Sequence, residues 1–156
     1  MGTVDAKLEE LGISLPTPAA PVANYVPFVR TGNIVVISGQ LCSGPDGKIA
    51  ENHKGKLGAE VSMDQGQAAA RLCAINVLAQ LKAAVGDLDD VVRCVRLGGF
   101  INAVPSFAQL APVMNGASDL MVAVLGDKGR HARSTIGVAE LPLDAAVEVE
   151  GMFEVR

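Results

Sequence analysis

The C-terminal segment of the chain alternates apolar and acidic residues, and this alternation constrains the fold more than any other feature. The apolar positions are Val147, Val149, Phe153 and Val155, and the acidic positions between them are Glu148, Glu150 and Glu154. Because side chains on a strand point alternately to its two faces, the pattern predicts a half-buried strand from Ala146 to Val155. One face of the resulting sheet is apolar and the other is acidic.

Two helices are predicted to cover the apolar face. The first begins after Ser62, where Ser62 and Gln65 have the spacing of a capping box, and ends at Gly86. Between these residues the apolar side chains recur at helical spacing: Leu72, Ile75, Leu78, Ala79, Leu81 and Val85. The second helix is predicted from about Phe107 to Val124, with a break near Pro112.

The remaining strands follow from short apolar runs and turn residues. Strands are predicted at 25–30 and 34–38, with a hairpin turn at Gly32-Asn33. A long strand at 91–102 contains Gly98-Gly99, which indicates a bulge or a close approach of another segment. A strand at 134–138 and the acidic strand are expected to close the chain as a hairpin.

This order predicts an α+β fold with one mixed ββαβαββ sheet and two helices packed on one face. An N-terminal helix ending near Gly12 and a Pro-rich lead-in form residues 1–21, and residues 22–156 form a single domain, as expected for 156 residues. Two helices leave the second face of the sheet uncovered. We therefore expect copies of the chain to bury that face against one another.

Composition excludes several classes of function. A net charge of −4 without a basic run argues against nucleic-acid binding. No signal peptide and no apolar run of membrane-spanning length is expected. With two histidines and three cysteines at Cys42, Cys73 and Cys94, neither a metal site nor a disulfide framework is expected. The cysteines are interpreted as reduced core thiols, which predicts a cytoplasmic protein.

Arg133 is the residue with the clearest chemical potential. It stands at the beginning of an apolar strand, ahead of Leu141-Pro142 and of the strand that carries Glu148. A guanidinium can bind a carboxylate through two parallel hydrogen bonds, and a carboxylate can orient a water molecule. This predicts a site for a small organic acid. The residues alone leave the alternative open that Arg133 pairs with a carboxylate of the sheet or a neighbouring subunit, and that Glu148 is merely solvated.

Four blocks of sequence resemble the Rid family, also called the YjgF family, whose members hydrolyse reactive enamines and imines. They occur in the order of that family: Asn24-Tyr25-Val26-Pro27, Asn33-Ile34-Val35-Val36-Ile37-Ser38-Gly39-Gln40, Ala132-Arg133-Ser134-Thr135 with Leu141-Pro142, and Val147-Glu148-Val149-Glu150. The resemblance implies a chorismate-mutase-like fold and a homotrimer with sites at the subunit boundaries. It also implies deamination of 2-enamine and 2-imino acids to 2-oxo acids and ammonia, without cofactor or metal.

The resemblance also assigns roles to individual residues. The catalytic residues would be Arg133, which binds the carboxylate, and Glu148, which orients water. The substrate-binding residues would be Tyr25, Ser38, Gly39, Asn115 and Thr135. Thr135 stands where many members carry cysteine, and extra residues before Arg133 affect the placement of Asn115. A non-catalytic protein that binds small carboxylates is the alternative function, and ribonuclease activity, an older label in the family, fits poorly with the acidic charge.

Overall fold

A computed structural model describes residues 2–18, 20–21 and 23–156; Met1, Ala19 and Val22, which belong to the predicted lead-in and the beginning of the domain, lie outside the described residues. The helices are α1 (Thr3–Glu10), α2 (Met63–Val85) and α3 (Leu110–Leu125). The strands are β1 (Phe28–Thr31), β2 (Ile34–Leu41), β3 (Val91–Asn102), β4 (Ala132–Val138) and β5 (Val147–Val155). After α1, this is the predicted ββαβαββ order.

The five strands form one mixed sheet in the order β1-β2-β5-β3-β4. The acidic strand β5 lies at its centre, antiparallel to both β2 and β3, while β3 and β4 are parallel. The predicted hairpin between the last two strands is therefore wrong. Since β4 runs parallel to β3, the chain must cross the end of β3 before it returns as β5 on the other side.

A short turn at Pro142–Asp144 makes this crossing. Leu143 and Asp144 adopt left-handed backbone conformations, with φ of 58° and 57°, which disfavour residues that carry a Cβ. The buried side chain of Asn102, at the end of β3, donates to Asp144 Oδ1 and to the Ala145 carbonyl, both at 3.2 Å. The turn is thus held against the end of the strand that it crosses.

The helices pack on the apolar face of the sheet as predicted. Val147, Val149, Phe153 and Val155 of β5 are all buried. The capping box is present, because the Ser62 hydroxyl accepts from the Gln65 N–H at 3.2 Å and the Gln65 side chain accepts from the Ser62 N–H at 2.9 Å. The predicted break in the second helix is wrong, since Pro112 lies in the first turn of α3, where a missing N–H loses no helical hydrogen bond.

Gly98 and Gly99 mark close approaches and not a bulge. The register shifts of β3 lie earlier in the strand, between Val91 and Arg96. A Cβ on Gly99 would lie 2.5 Å from Met114 Sδ of α3, and a Cβ on Gly98 would lie 2.9 Å from the Glu150 side chain. Glycine at these positions lets α3 pack on one face of β3 and a glutamate on the other.

Helix α1 docks on the same helical layer. The Thr3 and Val4 N–H groups donate to the Asp89 carboxylate at 2.7 and 2.9 Å, and these bonds hold the pKa of Asp89 below its usual value. Lys82 of α2 pairs with Asp5 at 2.7 Å. The buried Leu8 completes the contact.

The second face of the sheet carries no helix among the described residues. Val36 and Ile136, which point to this face, are 36% and 50% exposed, and Val29, opposite Val36, is 52% exposed.

Among the described helices only α2 is long and apolar enough to span a membrane, and 56% of that apolar stretch is buried inside the fold, as in a core helix. Cys42, Cys73 and Cys94 are buried and unbridged, as predicted.

Candidate functional site

The β4 register places the Arg133 side chain on the helix face of the sheet. Arg133 pairs with Leu97, and Leu97 pairs with Gly151, so all three positions share that face. The Arg133 guanidinium meets α3, where Nη1 donates to Ser118 Oγ at 3.0 Å and Nη2 donates to the Ala111 carbonyl at 3.3 Å. No carboxylate in the described part of the chain lies within ion-pair distance of this guanidinium. Arg133 is thus oriented but not neutralised.

Two further predicted residues lie beside this guanidinium. Ala111, Asn115 and Ser118 are spaced four and three residues apart, which places the exposed Asn115 on the face of α3 that Arg133 contacts. Thr135 pairs with Gly99 two residues further along β4, and its buried Oγ1 has no hydrogen-bond partner in the described chain. We call Arg133, Thr135, Asn115 and Ser118 the arginine half-site.

The other predicted residues gather around β2 and β5. A Cβ on Gly39 would lie 2.9 Å from the Glu148 carboxyl carbon, so the carboxylate packs directly on the Gly39 backbone. The Ser38 hydroxyl donates to the Val26 carbonyl at 2.7 Å and fixes the segment after Tyr25. Tyr25, which is 55% exposed, and Gly39 line one cavity of about 580 Å³. We call Glu148, Gly39, Ser38 and Tyr25 the glutamate half-site.

Glu148 has a raised pKa. Partial burial disfavours its charged form, and the negative charge of Glu150 on the same face of β5 acts in the same direction. A carboxylate with a raised pKa is a stronger base than an ordinary glutamate at neutral pH. Glu148 is therefore suited to take a proton from water.

The two half-sites do not meet within one chain. Glu148 pairs with Phe100, which pairs with Ile136, and all three point to the uncovered face, whereas Arg133 points to the helix face. Strand β3 lies between β5 and β4, so the two residues also stand two strand spacings, or about 10 Å, apart. Within a single chain the returning strand therefore does not bring its carboxylate beside the arginine.

Sequence analysis missed the hydrogen bonds that hold Arg133. The sequence alone assigned no role to Ser118 or to His131. In the structure Ser118 Oγ lies 2.9 Å from His131 Nε2, and His131 Nδ1 lies 2.6 Å from the Gly129 carbonyl oxygen. The available signal was the spacing of Asn115 and Ser118, one helical turn apart, together with the position of His131 two residues before Arg133.

The described part of the chain does not bring metal-ligating side chains together. Within residues 2–18, 20–21 and 23–156 there is no group of three or more His, Cys, Asp or Glu side chains that is able to hold a metal ion. His53 is buried, and burial lowers its pKa.

Comparison with known proteins decides the family. Residues 5–154 match the family model described as "YjgF/chorismate_mutase-like, putative endoribonuclease". The chain belongs to the YjgF family. This YjgF protein is 49% identical over 156 residues to Protein TCP17 of Trypanosoma cruzi, a match that covers 99% of the chain and 96% of the relative. It is 31% identical over 144 residues to a 2-iminobutanoate/2-iminopropanoate deaminase of Dermatophagoides farinae, covering 92% and 95%.

The solved structures extend the similarity to the N-terminal helix. A crystal structure of an Agrobacterium tumefaciens protein with unknown function has a TM-score of 0.90 and 45% identity, and the match covers 98% of this YjgF chain and 92% of the other. With the family match, this confirms the resemblance to the Rid family and the chorismate-mutase-like α+β fold. Since it leaves out only about 2% of the chain, the match extends over the residues of α1.

Proposed function

We propose that the protein hydrolyses reactive 2-imino acids and their enamine tautomers to 2-oxo acids and ammonia, as a hydrolase of C–N bonds. The observation that carries the proposal is the state of Arg133, which is held by α3 without a carboxylate partner among the described residues. A guanidinium in this state is available to a carboxylate ligand. The deaminase relative from Dermatophagoides farinae supports the reaction class.

Substrate binding uses the guanidinium. The Arg133 group has five N–H groups, of which two are bound to α3, so three remain for the substrate carboxylate. Hydrogen bonds between charged partners contribute about 1.5–3 kcal/mol each, and two of them hold so small an acid firmly enough to orient its imine carbon. In this proposal Asn115 and the Thr135 backbone N–H border the bound acid.

The chemical step uses Glu148. Its carboxylate takes a proton from water as the water oxygen bonds to the carbon of the imine, which is protonated at nitrogen, and the C=N π electrons become the nitrogen lone pair of a neutral carbinolamine. Glu148 then returns its proton to that nitrogen, and the C–N bond breaks as ammonia leaves. The departing ammonia takes the hydroxyl proton, so that the products are the 2-oxo acid and an ammonium ion. A positioned general base typically contributes about 10²–10⁴-fold to such a step, and no metal or cofactor is needed.

Both groups act together only if they come from different copies of the chain. We propose a homotrimer, as the family resemblance implies, in which the arginine half-site of one copy faces the glutamate half-site of the next. The uncovered sheet face, with Val29, Val36 and Ile136 exposed, supports burial against another copy. The partner is then a small organic acid. We propose neither nucleic-acid nor membrane partners, in keeping with the acidic charge, and a cytoplasmic location fits the buried free thiols.

The test uses Arg133→Ala and Glu148→Gln, first alone and then co-expressed with different affinity tags. Wild type is expected to accelerate ammonia release from 2-iminobutanoate, and each variant is expected to lose this activity. Trimers purified through both tags should recover about a third of the wild-type activity, because one of the three interfaces in every mixed cyclic trimer combines an intact arginine half with an intact glutamate half. Arg130→Ala, at an exposed arginine paired with Asp127, is the matched control and should keep full activity.

Three outcomes contradict parts of the proposal. If folded Arg133→Ala releases ammonia as fast as wild type, the enzymatic function is wrong. If both single variants are inactive and the mixed trimers stay inactive, the shared site is wrong. If wild type has no activity but 2-oxobutanoate raises its melting temperature and does not raise that of Arg133→Ala, the protein is a non-catalytic binder of small carboxylates.

A further inference from the structure

A chain of hydrogen bonds runs from Arg133 to the backbone before β4. Arg133 Nη1 lies 3.0 Å from Ser118 Oγ, Ser118 Oγ lies 2.9 Å from His131 Nε2, and His131 Nδ1 lies 2.6 Å from the Gly129 carbonyl oxygen. Ser118 is on α3, while His131 and Gly129 belong to the segment between α3 and β4. The hydrogen bonds thus connect the Arg133 guanidinium of β4 to α3 and, through Ser118, to the segment before β4.

When the His131 ring is neutral, the chemistry of the end groups fixes the direction of every bond. The Gly129 carbonyl can only accept, so His131 Nδ1 must carry a proton. The guanidinium can only donate, so Ser118 Oγ accepts from Arg133 and has its own proton left to give. With a neutral ring, His131 Nε2 is an acceptor and takes that proton. Each donor in the chain therefore has one acceptor.

We propose that Ser118 and His131 are positioning residues of the acid-binding site, with His131 acting through Ser118. This inference rests on the proposed function of Arg133. An arginine side chain has many rotamers, and holding it in one of them before the ligand arrives removes an entropic cost from binding. Ser118 supplies the side-chain bond to the guanidinium, and His131 fixes the Ser118 hydroxyl so that its oxygen lone pair points at Arg133.

A second hydrogen bond, from Arg133 to the main chain of α3, holds the other terminal nitrogen of the guanidinium. Nη2 donates to the Ala111 carbonyl at 3.3 Å, so α3 holds the two terminal nitrogens from two turns of the helix. Loss of the Ser118 hydroxyl leaves only this longer bond. We therefore expect the guanidinium to rotate about Nη2 and to present its free N–H groups less often in the geometry that a carboxylate requires.

The experiment measures binding of 2-oxobutanoate by calorimetry to the full-length protein in four forms: wild type, Ser118→Ala, His131→Ala and the double variant. Each single substitution is expected to raise Kd by about three- to tenfold, the effect of releasing one ordered side chain. The double variant should match Ser118→Ala, since His131 acts only through the hydroxyl. Ser118→Thr keeps a hydroxyl and should restore binding, and Ser106→Ala, at an exposed serine ahead of α3, is the control.

Kinetics separates positioning from a purely structural role. Ser118→Ala should raise KM for 2-iminobutanoate and leave kcat near the wild-type value, because Ser118 touches neither the reacting carbon nor water. A lower melting temperature with an unchanged Kd would show that the bonds only tie β4 to α3, and would overturn the inference. Additive effects of the two substitutions on Kd would overturn the action of His131 through Ser118.

The inference and the proposed function can fail separately. If wild type binds 2-oxobutanoate in an Arg133-dependent manner and Ser118→Ala binds equally well, only the positioning role is wrong. If Arg133→Ala binds 2-oxobutanoate as tightly as wild type, or wild type does not bind it, Arg133 is not the acid-binding group and both proposals are wrong.

Discussion

The two half-sites are held in different ways. In the arginine half-site the guanidinium donates to Ser118 and to the Ala111 carbonyl, and a histidine supports the serine. In the glutamate half-site the Glu148 carboxylate has no hydrogen-bond partner among the described residues and is positioned by packing on Gly39. The part that would bind the acid is thus fixed by directional bonds, and the part that would move protons is fixed by shape.

This difference suits the two proposed tasks. A binding group benefits from a single orientation prepared in advance. A base benefits from an environment that raises its pKa, and a hydrogen bond to the charged carboxylate would lower the pKa instead. For Glu148, burial and the neighbouring Glu150 both raise the pKa. The comparison predicts that substitutions in the glutamate half-site change the rate, while those in the arginine half-site change affinity.

The largest expected effect is that of Glu148→Gln. We expect kcat for 2-iminobutanoate to fall by about 10²–10⁴-fold, since the general base is lost, while Kd for 2-oxobutanoate stays near the wild-type value. Calorimetry and ammonia release measure the two quantities. If Kd rises as much as kcat falls, Glu148 also contributes to binding of the acid, and the division of tasks between the two half-sites is wrong.

The same variant tests the raised pKa. Because the Glu148 pKa is higher in the folded than in the unfolded chain, folding favours the protonated form. Its contribution to stability is therefore present at acid pH and is lost as the pH rises through the raised pKa. Glu148→Gln should thus melt at a higher temperature than wild type at pH 7, with the difference vanishing at acid pH. A variant that melts lower at pH 7 would show that the carboxylate is stabilised in the fold.

A smaller effect is expected for Gly39→Ala. The new Cβ would lie 2.9 Å from the Glu148 carboxyl carbon and must displace it, and a shift of about 1 Å in a reacting group costs on the order of 10²-fold in rate. Gly44→Ala is the matched control, since its Cβ would make only ordinary contacts, the nearest at 3.6 Å from Asp46. Equal kcat for both alanine variants would show that the position of Glu148 does not set the rate.

The smallest effect is expected for Thr135→Val in the arginine half-site. The buried Thr135 hydroxyl has no partner in the described chain, and replacing it with a methyl group should increase the free energy of unfolding by about 1 kcal/mol. Kd for 2-oxobutanoate should change less than about twofold, because the backbone N–H is the expected donor to the acid. Chemical denaturation and calorimetry check both values. A clear loss of affinity would assign the hydroxyl itself to the ligand.

Local sequence signals predicted most of the fold. The capping box at Ser62 and the alternation in β5 each depend on residues a few positions apart, and both predictions are confirmed. The prediction of a hairpin between β4 and β5 was wrong because strand order depends on which strands pair across the sheet. No local signal between Val138 and Val147 shows that β3 lies between the two strands. The prediction of a helix break at Pro112 was wrong because the helix was expected to begin at about Phe107. It begins at Leu110, so Pro112 lies in its first turn.

The candidate site was predictable only in part. Arg133 and Glu148 stand out through short motifs and the family resemblance, and the structure shows a suitable environment for each. The role of Ser118 was not predicted because it depends on the packing of α3 beside β4. Ser118 lies fifteen residues before Arg133 in the chain, so no local pattern connects the two. The role of His131 was not predicted because it depends on the contact with Ser118, which the sequence does not show.

By itself the sequence determined the α+β class, the helices and strands, and the residues with chemical potential, since these follow from side-chain periodicity, caps and short motifs. The tertiary structure alone decided that Arg133 points to the face opposite Glu148 and that β3 lies between their two strands. That depends on pairing register, where a shift of one residue moves a side chain to the opposite face. For this reason Arg133 and Glu148, which belong to neighbouring motifs along the chain, lie on opposite faces of the sheet.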